Sequence, residues 1–209
     1  MKTILILFAL LNLFCGNKFV ETQYKTSSDK TAKDTCDGPD SDIGCSFINA
    51  PSGLKNEMMI PVQNEPGQKI RIEGKILKSD SITPYPGVLI YAYHTDAGGL
   101  YSKSGNETGF QKWHGKLHGW CITDNDGKYF INTVRPGKYP EGDFPAHIHW
   151  AVKEPNGKMQ YLNDFVFSDD KDVNEDYLSK LYYRGDAGVI TLTDLDSGYK
   201  KGSRVTVLD

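Results

Sequence analysis

Two of the chain's five histidines, His147 and His149, stand one residue apart in "YPEGDFPAHIHW", Tyr139 to Trp150. On a β-strand successive side chains alternate, so these two imidazoles share a face while Ile148 points to the other, with backbones about 7 Å apart. Imidazoles so placed can converge on one metal ion. Two histidines that merely share a face are an equal reading of His-x-His taken alone. Tyr139 tips the balance. Pro140 follows it directly and Pro145 precedes the histidine segment, which stiffens the loop between them. A tyrosine ordinarily keeps its proton, with a pKa of about 10. Beside a trivalent cation it ionises, because the cation stabilises a phenolate as it does a coordinating thiolate. Hard anionic oxygen together with imidazole suits ferric iron better than zinc or copper(I).

The segments that must position these residues read as β-strands. "KIRIEGKIL" alternates apolar and polar residues, and "GVLIYAYH" is a buried run. "WCITDNDGKYFINTV" reads as two strands of a hairpin turning at Asp126-Gly127. "AHIHWAVKE", "YLNDFVF", "GVITLTDL" and "RVTVLD" supply further short strands. Only "VNEDYLSKLYY", Val173 to Tyr183, has helical spacing, through Val173, Tyr177 and Leu181, with Asn174 and Glu175 near its start. Many short strands separated by turn signals predict an all-β fold, a β-sandwich with one short helix, spanning residues 66–209.

The N-terminal part has a different character. Lys2 precedes "TILILFALLNLF", an apolar run of signal-peptide length that is too short to span a membrane, so residues 1–16 read as an export leader. Cys15 closes the run as a lipid-modified cysteine would, although Phe14 stands where such a cysteine normally follows a small residue. Membrane anchoring through a lipidated Cys15 therefore stays open beside plain export to the cell envelope or beyond. Residues 17–65 read as a polar, flexible tether that carries a loop between Cys36 and Cys45. In an oxidising compartment a Cys36–Cys45 disulfide is the leading reading of that loop, ahead of a metal site with no histidine near it. Cys121, in the apolar "WCITD", reads as a buried free thiol. A net charge of −3 gives no basic field for nucleic acid.

Other motifs are weaker. "RGD" at Arg184 to Asp186 reads as a turn rather than an adhesion tripeptide, and "SDDKDVNED" lacks the central glycine and ligand spacing of a calcium loop. "NET" at Asn106 to Thr108 is a glycosylation acceptor only in a eukaryotic host. No serine-nucleophile motif, phosphate-binding glycine loop or dinucleotide fingerprint is present.

From Pro86 to Phe167 the chain resembles the intradiol ring-cleavage dioxygenases, such as protocatechuate 3,4-dioxygenase and catechol 1,2-dioxygenase. The resemblance runs through "PGVLIYAYHTDAGGLYS", "GWCITDNDGKYFINTVRPGKYP" and "PAHIHW", in order and with matching spacing. It implies two packed β-sheets and a non-haem ferric ion held by two tyrosines and two histidines, here Tyr101, Tyr139, His147 and His149. It also implies cleavage of a catechol by dioxygen between its two hydroxyl-bearing carbons, giving a muconate-type diacid. Tyr139 would serve in turn as ligand and as base for a substrate proton.

Departures from the family pattern accompany the matches. Phe144 stands where the family usually has an arginine just before the histidine segment, and Asp164 replaces a glutamine. Both positions imply contact with substrate. Arg135 is a candidate for the missing positive charge and equally a strand-end arginine facing water. His118, with Trp113, His114 and Trp120, reads either as pocket lining or as loop and sandwich core. The segment before the sandwich is too short and polar for the family's helical dimerisation region, which implies a small, exported, monomeric form. The Phe144 departure leaves a second class of function open, a module that holds iron or an iron–catecholate without turnover. A purely structural sandwich comes last.

Overall fold

The alternation of "KIRIEGKIL" becomes strand β2, Lys69–Leu77, whose Ile70, Ile72 and Ile76 are fully buried while Lys69, Arg71, Glu73 and Lys75 keep contact with solvent. The structure is a computed structural model that describes Cys36, Gly38 and residues 42–60, 64–183, 185–195 and 198–209. The apolar leader with Cys15, most of the tether, and Arg184 of the RGD tripeptide lie outside the described residues.

Two mixed sheets pack face to face. The first contains β1 (Glu57–Met59), β5 (Lys128–Val134), β2, β11 (Lys200–Val207) and β10 (Thr193–Asp194), side by side in that order. The second runs β4 (His118–Ile122), β3 (Leu89–His94), β6 (His147–Lys153), β8 (Phe165–Phe167) and β9 (Val189–Ile190), with β7 (Met159–Tyr161) also paired to β6. One continuous core fills the space between them, built from Ile70, Ile72, Tyr129 and Ile131 on one side and Ile90, Ile148, Trp150, Phe165 and Phe167 on the other. The strand period of two then fixes the opposite face of the second sheet. Tyr91, Tyr93 and Ala151 turn outward, where Phe47 and Trp120 join them in a smaller cluster.

The two-sheet sandwich agrees with the sequence, and three details differ. Asp126-Gly127 does make a tight turn, with Gly127 at φ 72° and Asp124 Oδ1 accepting from the amides of Asp126 and Lys128. However, β4 and β5 do not pair across it. The turn carries the chain from one sheet to the other, and β3 and β2 take the ladder bonds instead. A turn signature specifies local backbone geometry, whereas ladder partners are set by which faces must be buried.

The sandwich also begins before residue 66. β1 pairs in parallel with the edge of β5, and Met58 and Ile60 enter the core. A three-residue strand with a single buried side chain has too little alternation to read as one. A 3₁₀ turn at Ile43–Phe47 lies ahead of it, tied by the Cys36–Cys45 disulfide, whose Cα atoms are 5.5 Å apart. Finally, the helix is shorter than its spacing suggests, Glu175–Ser179, capped by the Asn174 side chain, which accepts from the Tyr177 amide. A further one-turn helix spans Gln111–His114.

Candidate metal centre

β6 sends Ile148 and Trp150 inward and His147 and His149 outward. Each imidazole is oriented from behind. His147 Nδ1 lies 2.6 Å from the Pro145 carbonyl oxygen, and His149 Nδ1 lies 3.0 Å from Asp164 Oδ1. A carbonyl and a carboxylate can only accept, so each Nδ1 carries a proton and each Nε2 is the ring nitrogen left to face a metal. Those two Nε2 atoms face one another at 3.0 Å. The Tyr139 hydroxyl is 3.2 Å from His149 Nε2, and the Tyr101 hydroxyl is 2.7 Å from that of Tyr139. Four donor atoms thus converge on one small volume.

The tyrosines arrive on two loops that are locked together. After β3, Asp96 organises the turn that ends at Tyr101. Its carboxylate accepts from the Gly98 and Leu100 amides and the Ser102 hydroxyl, and its carbonyl accepts from Gly137, two residues before Tyr139. Burial pulls the Asp96 carboxyl upward, but these donors together hold it below its usual range. The Thr95 hydroxyl also donates to the Gly137 carbonyl. Gly99, at φ 82°, lets the two loops of this junction touch, since a Cβ there would stand 1.8 Å from the Lys138 carbonyl oxygen.

The electrostatics suit a cation. Burial raises the Tyr101 phenol well above its ordinary pKa, and the bond to Tyr139 adds to this. Burial also raises Tyr139, against a lowering by its bond to Tyr101. Burial lowers His147, and the neighbouring His149 lowers it further, which keeps the imidazole neutral. The two facing imidazoles and the two phenols form a concentration of oxygen and nitrogen donors that a highly charged, hard cation would satisfy. The donor set fits ferric iron. His147, His149 and Asp164 also form a cluster of metal-ligating type, but Asp164 is engaged behind His149 and the phenols lie ahead of it.

Beside these donors opens a cavity of about 600 Å³, whose wall includes Phe144 and Asp164 together with Asp143, Tyr177 and Tyr183. Phe144 is 62% exposed and its ring lies 6.4 Å from that of His147, so an apolar ring borders the donors where a cation was missing from the sequence. Asp164 has two neighbours, the cavity and His149. Arg135 does not line that cavity. It pairs through both terminal nitrogens with Asp169, at 2.7 and 2.8 Å, and lies over the Phe167 ring.

His118 bonds to the Gly115 carbonyl and packs on Tyr91 and Trp120, away from the four donors. Trp120 donates to the Ser46 carbonyl, and Trp113 is exposed. His114 is buried against Tyr93, ring on ring at 3.5 Å, and bonds to the Tyr91 hydroxyl. Tyr93 was not singled out by the sequence, yet it stands opposite His149 in the β3–β6 register with ring centroids 4.8 Å apart. Its only sequence signal is the alternation Tyr91-x-Tyr93, which gains meaning once the strand partner is known.

A family model described as "Dioxygenase" matches residues 43–202. Among curated proteins, the chain is 28% identical over 103 residues to catechol 1,2-dioxygenase of Candida albicans, covering 42% of this chain and 33% of that protein. It is 28% identical over 92 residues to the protocatechuate 3,4-dioxygenase beta chain of Burkholderia cepacia, covering 41% and 39%. The matched region therefore spans less than half the length of either relative. Among solved structures, the dioxygenase domain of a dioxygenase–carbohydrate-binding protein fusion from Streptomyces sp. SirexAA-E superimposes with a TM-score of 0.56 at 22% identity, covering 72% of this chain and 86% of that one. At that identity the likeness speaks for the fold.

Proposed function

We propose, from the premise that the chain belongs to the intradiol ring-cleavage dioxygenase family, that it is a ferric dioxygenase cleaving a catechol between its hydroxyl-bearing carbons. The observation that carries this reading is the run of Tyr101 Oη, Tyr139 Oη, His149 Nε2 and His147 Nε2 at successive separations of 2.7, 3.2 and 3.0 Å. Ferric iron, when bound, would supply a Lewis acid and a template for the catechol oxygens. The chain does the rest. Asp164 and the Pro145 carbonyl hold the imidazoles in the tautomer that offers Nε2. Tyr139 is bonded on one side to His149 and on the other to Tyr101; it would help hold the ion as a phenolate and is the group placed to accept a proton from the incoming catechol hydroxyl. The Phe144 ring and the adjoining cavity take the substrate ring.

The protein acts outside the cytoplasm in this reading, which rests on the N-terminal apolar run and on a disulfide of the kind that persists in oxidising compartments. Phe144, in place of a cation, favours a second reading, a module that retains an iron–catecholate without turnover. One experiment addresses both. The purified protein loaded with ferric iron should turn red-brown through phenolate-to-metal charge transfer, and added catechol should shift the band to longer wavelength. A colourless ferric-loaded protein would sink the site, and full colour without ring cleavage of any catechol would establish the module.

A further inference from the structure

A charged side chain lies inside the sandwich core with no assigned purpose. Arg204 faces inward from β11, with its side chain only 2% exposed, between Gly202 and Thr206 on the same face. Its guanidinium lies against the neighbouring rings of Trp150 and Phe165, 4.8 and 4.7 Å from their centroids. Nη1 donates to the Asn163 carbonyl at 2.9 Å, and Nη2 pairs with Asp186 Oδ1 at 2.5 Å. A buried cation is costly to desolvate, and an apolar side chain of similar volume would pack this core at least as well. Its partners suggest what it adds. The Asn163 carbonyl also accepts from Trp150 Nε1, and the Asn163 side-chain amide donates to the Asp186 carbonyl. The next residue is Asp164, which holds His149 Nδ1, and Gly188 fits so closely that a Cβ there would stand 1.8 Å from the Asp164 carbonyl oxygen.

We propose that Arg204 is a positioning residue for the metal centre: from the opposite sheet it pins the Asn163 carbonyl and the Asp186 loop, and so fixes the backbone from which the Asp164 carboxylate orients His149. The extended guanidinium matters, because it donates to a carbonyl through one nitrogen and forms an ion pair through another while lying against two rings, which a compact ammonium cannot reproduce. This inference rests on the reading of His149 as an iron ligand, but its first readout does not.

The test uses Arg204→Met and Arg204→Lys in the full chain, with Asp164→Ala as the reference for a lost orienting group. In metal-free protein, nitrogen NMR of His149 should show Nδ1 protonated in wild type and a mixed tautomer in both Arg204 variants and in Asp164→Ala. Ferric affinity, measured by competition with a chelator, should fall tenfold or more in Arg204→Met and in Asp164→Ala. In Asp164→Ala, adding Arg204→Met should cost little further affinity, because Arg204 acts through Asp164. The proposal is overturned if either Arg204 variant melts earlier yet keeps the wild-type tautomer and ferric affinity, or if the two losses simply add. Should Arg204→Met fail to fold, Arg204→Lys decides alone by the same readouts. A wild-type chain that binds no ferric ion would overturn the proposed function, and the His149 resonances would still decide the role of Arg204.

Discussion

At the scale of single residues, the two tyrosines make different predictions because they stand differently. Tyr139 touches both Tyr101 and His149, whereas Tyr101 bonds, among the four donors, to Tyr139 only. Tyr139→Phe should keep ferric iron through three remaining donors and lose at least a hundredfold in kcat, in keeping with the removal of a general base. Tyr101→Phe should instead lower iron retention and shift the charge-transfer band. Iron analysis and turnover on the same preparations check this, and identical responses in both variants would remove the division of roles. Substrate charge selection comes from the cavity. Its described wall carries Asp143, Asp164, Asp172 and Asp176; Lys180 is paired with Asp176 and Asp172 with Lys138, which leaves no cation free there to meet a substrate carboxylate beside Asp143 and Asp164. An added carboxylate would be desolvated there among like charges. The chain should therefore turn over catechol and 4-methylcatechol with kcat/KM at least tenfold above that for protocatechuate, and Asp164→Gln should narrow the gap. A preference for protocatechuate would place an unseen cation at the substrate.

At the scale of elements, the junction of the two tyrosine-bearing loops is the sensitive part. Gly99 has a backbone of the left-handed kind and sits against Lys138 with no room for a Cβ, and Gly137 is similarly close to Ala97. Gly99→Ala should push the loops apart and separate the phenols, while the sandwich core, which contains neither loop, stays intact. Metal-free protein should then melt within a few degrees of wild type, yet retain ferric iron at least tenfold less well. Equal loss of melting temperature and iron would show that the junction supports the fold rather than the site. The turn after β3 was placed by the family resemblance of "PGVLIYAYHTDAGGLYS", which implied a glycine-containing turn ending at Tyr101. That this turn docks on the loop of Tyr139 was not legible, since the docking is a contact between residues some forty positions apart.

At the scale of the whole molecule, His94 joins the sheets. It ends β3 in one sheet, its Nδ1 faces the Thr95 carbonyl, and its Nε2 accepts from the Thr133 hydroxyl on β5 in the other. Complete burial is the main cause of its pKa falling to about 4. The unfolded chain therefore binds this proton more readily than the folded one between about pH 6.5 and 4. Stability from neutral His94 is fully present above that window and is lost as pH falls through it. Urea unfolding of the metal-free protein should show this loss, and His94→Gln should reduce its slope by up to about 1.4 kcal/mol per pH unit, one proton's worth. An unchanged slope would assign the effect to the other histidines that burial lowers, His114, to about 3, with His118 and His147.

The sequence by itself determined the features that covalent geometry and residue chemistry dictate. Alternation set which side chains of β2 and β6 face inward, so His147 and His149 had to share a face. The pairing of phenol and imidazole pointed to a hard, highly charged metal, and the run of matched segments named the family. Tertiary structure alone decided the partners. It sent β4 and β5 to different sheets despite the turn between them, and it brought β1 into the sandwich. It also set Tyr93 across from His149 and turned Asp164 from a replaced glutamine into the group behind the His149 imidazole. The reason is one of range. Periodicity and turn chemistry act over a few bonds and are written locally, whereas sheet order and loop docking are settled by which distant faces bury one another most completely.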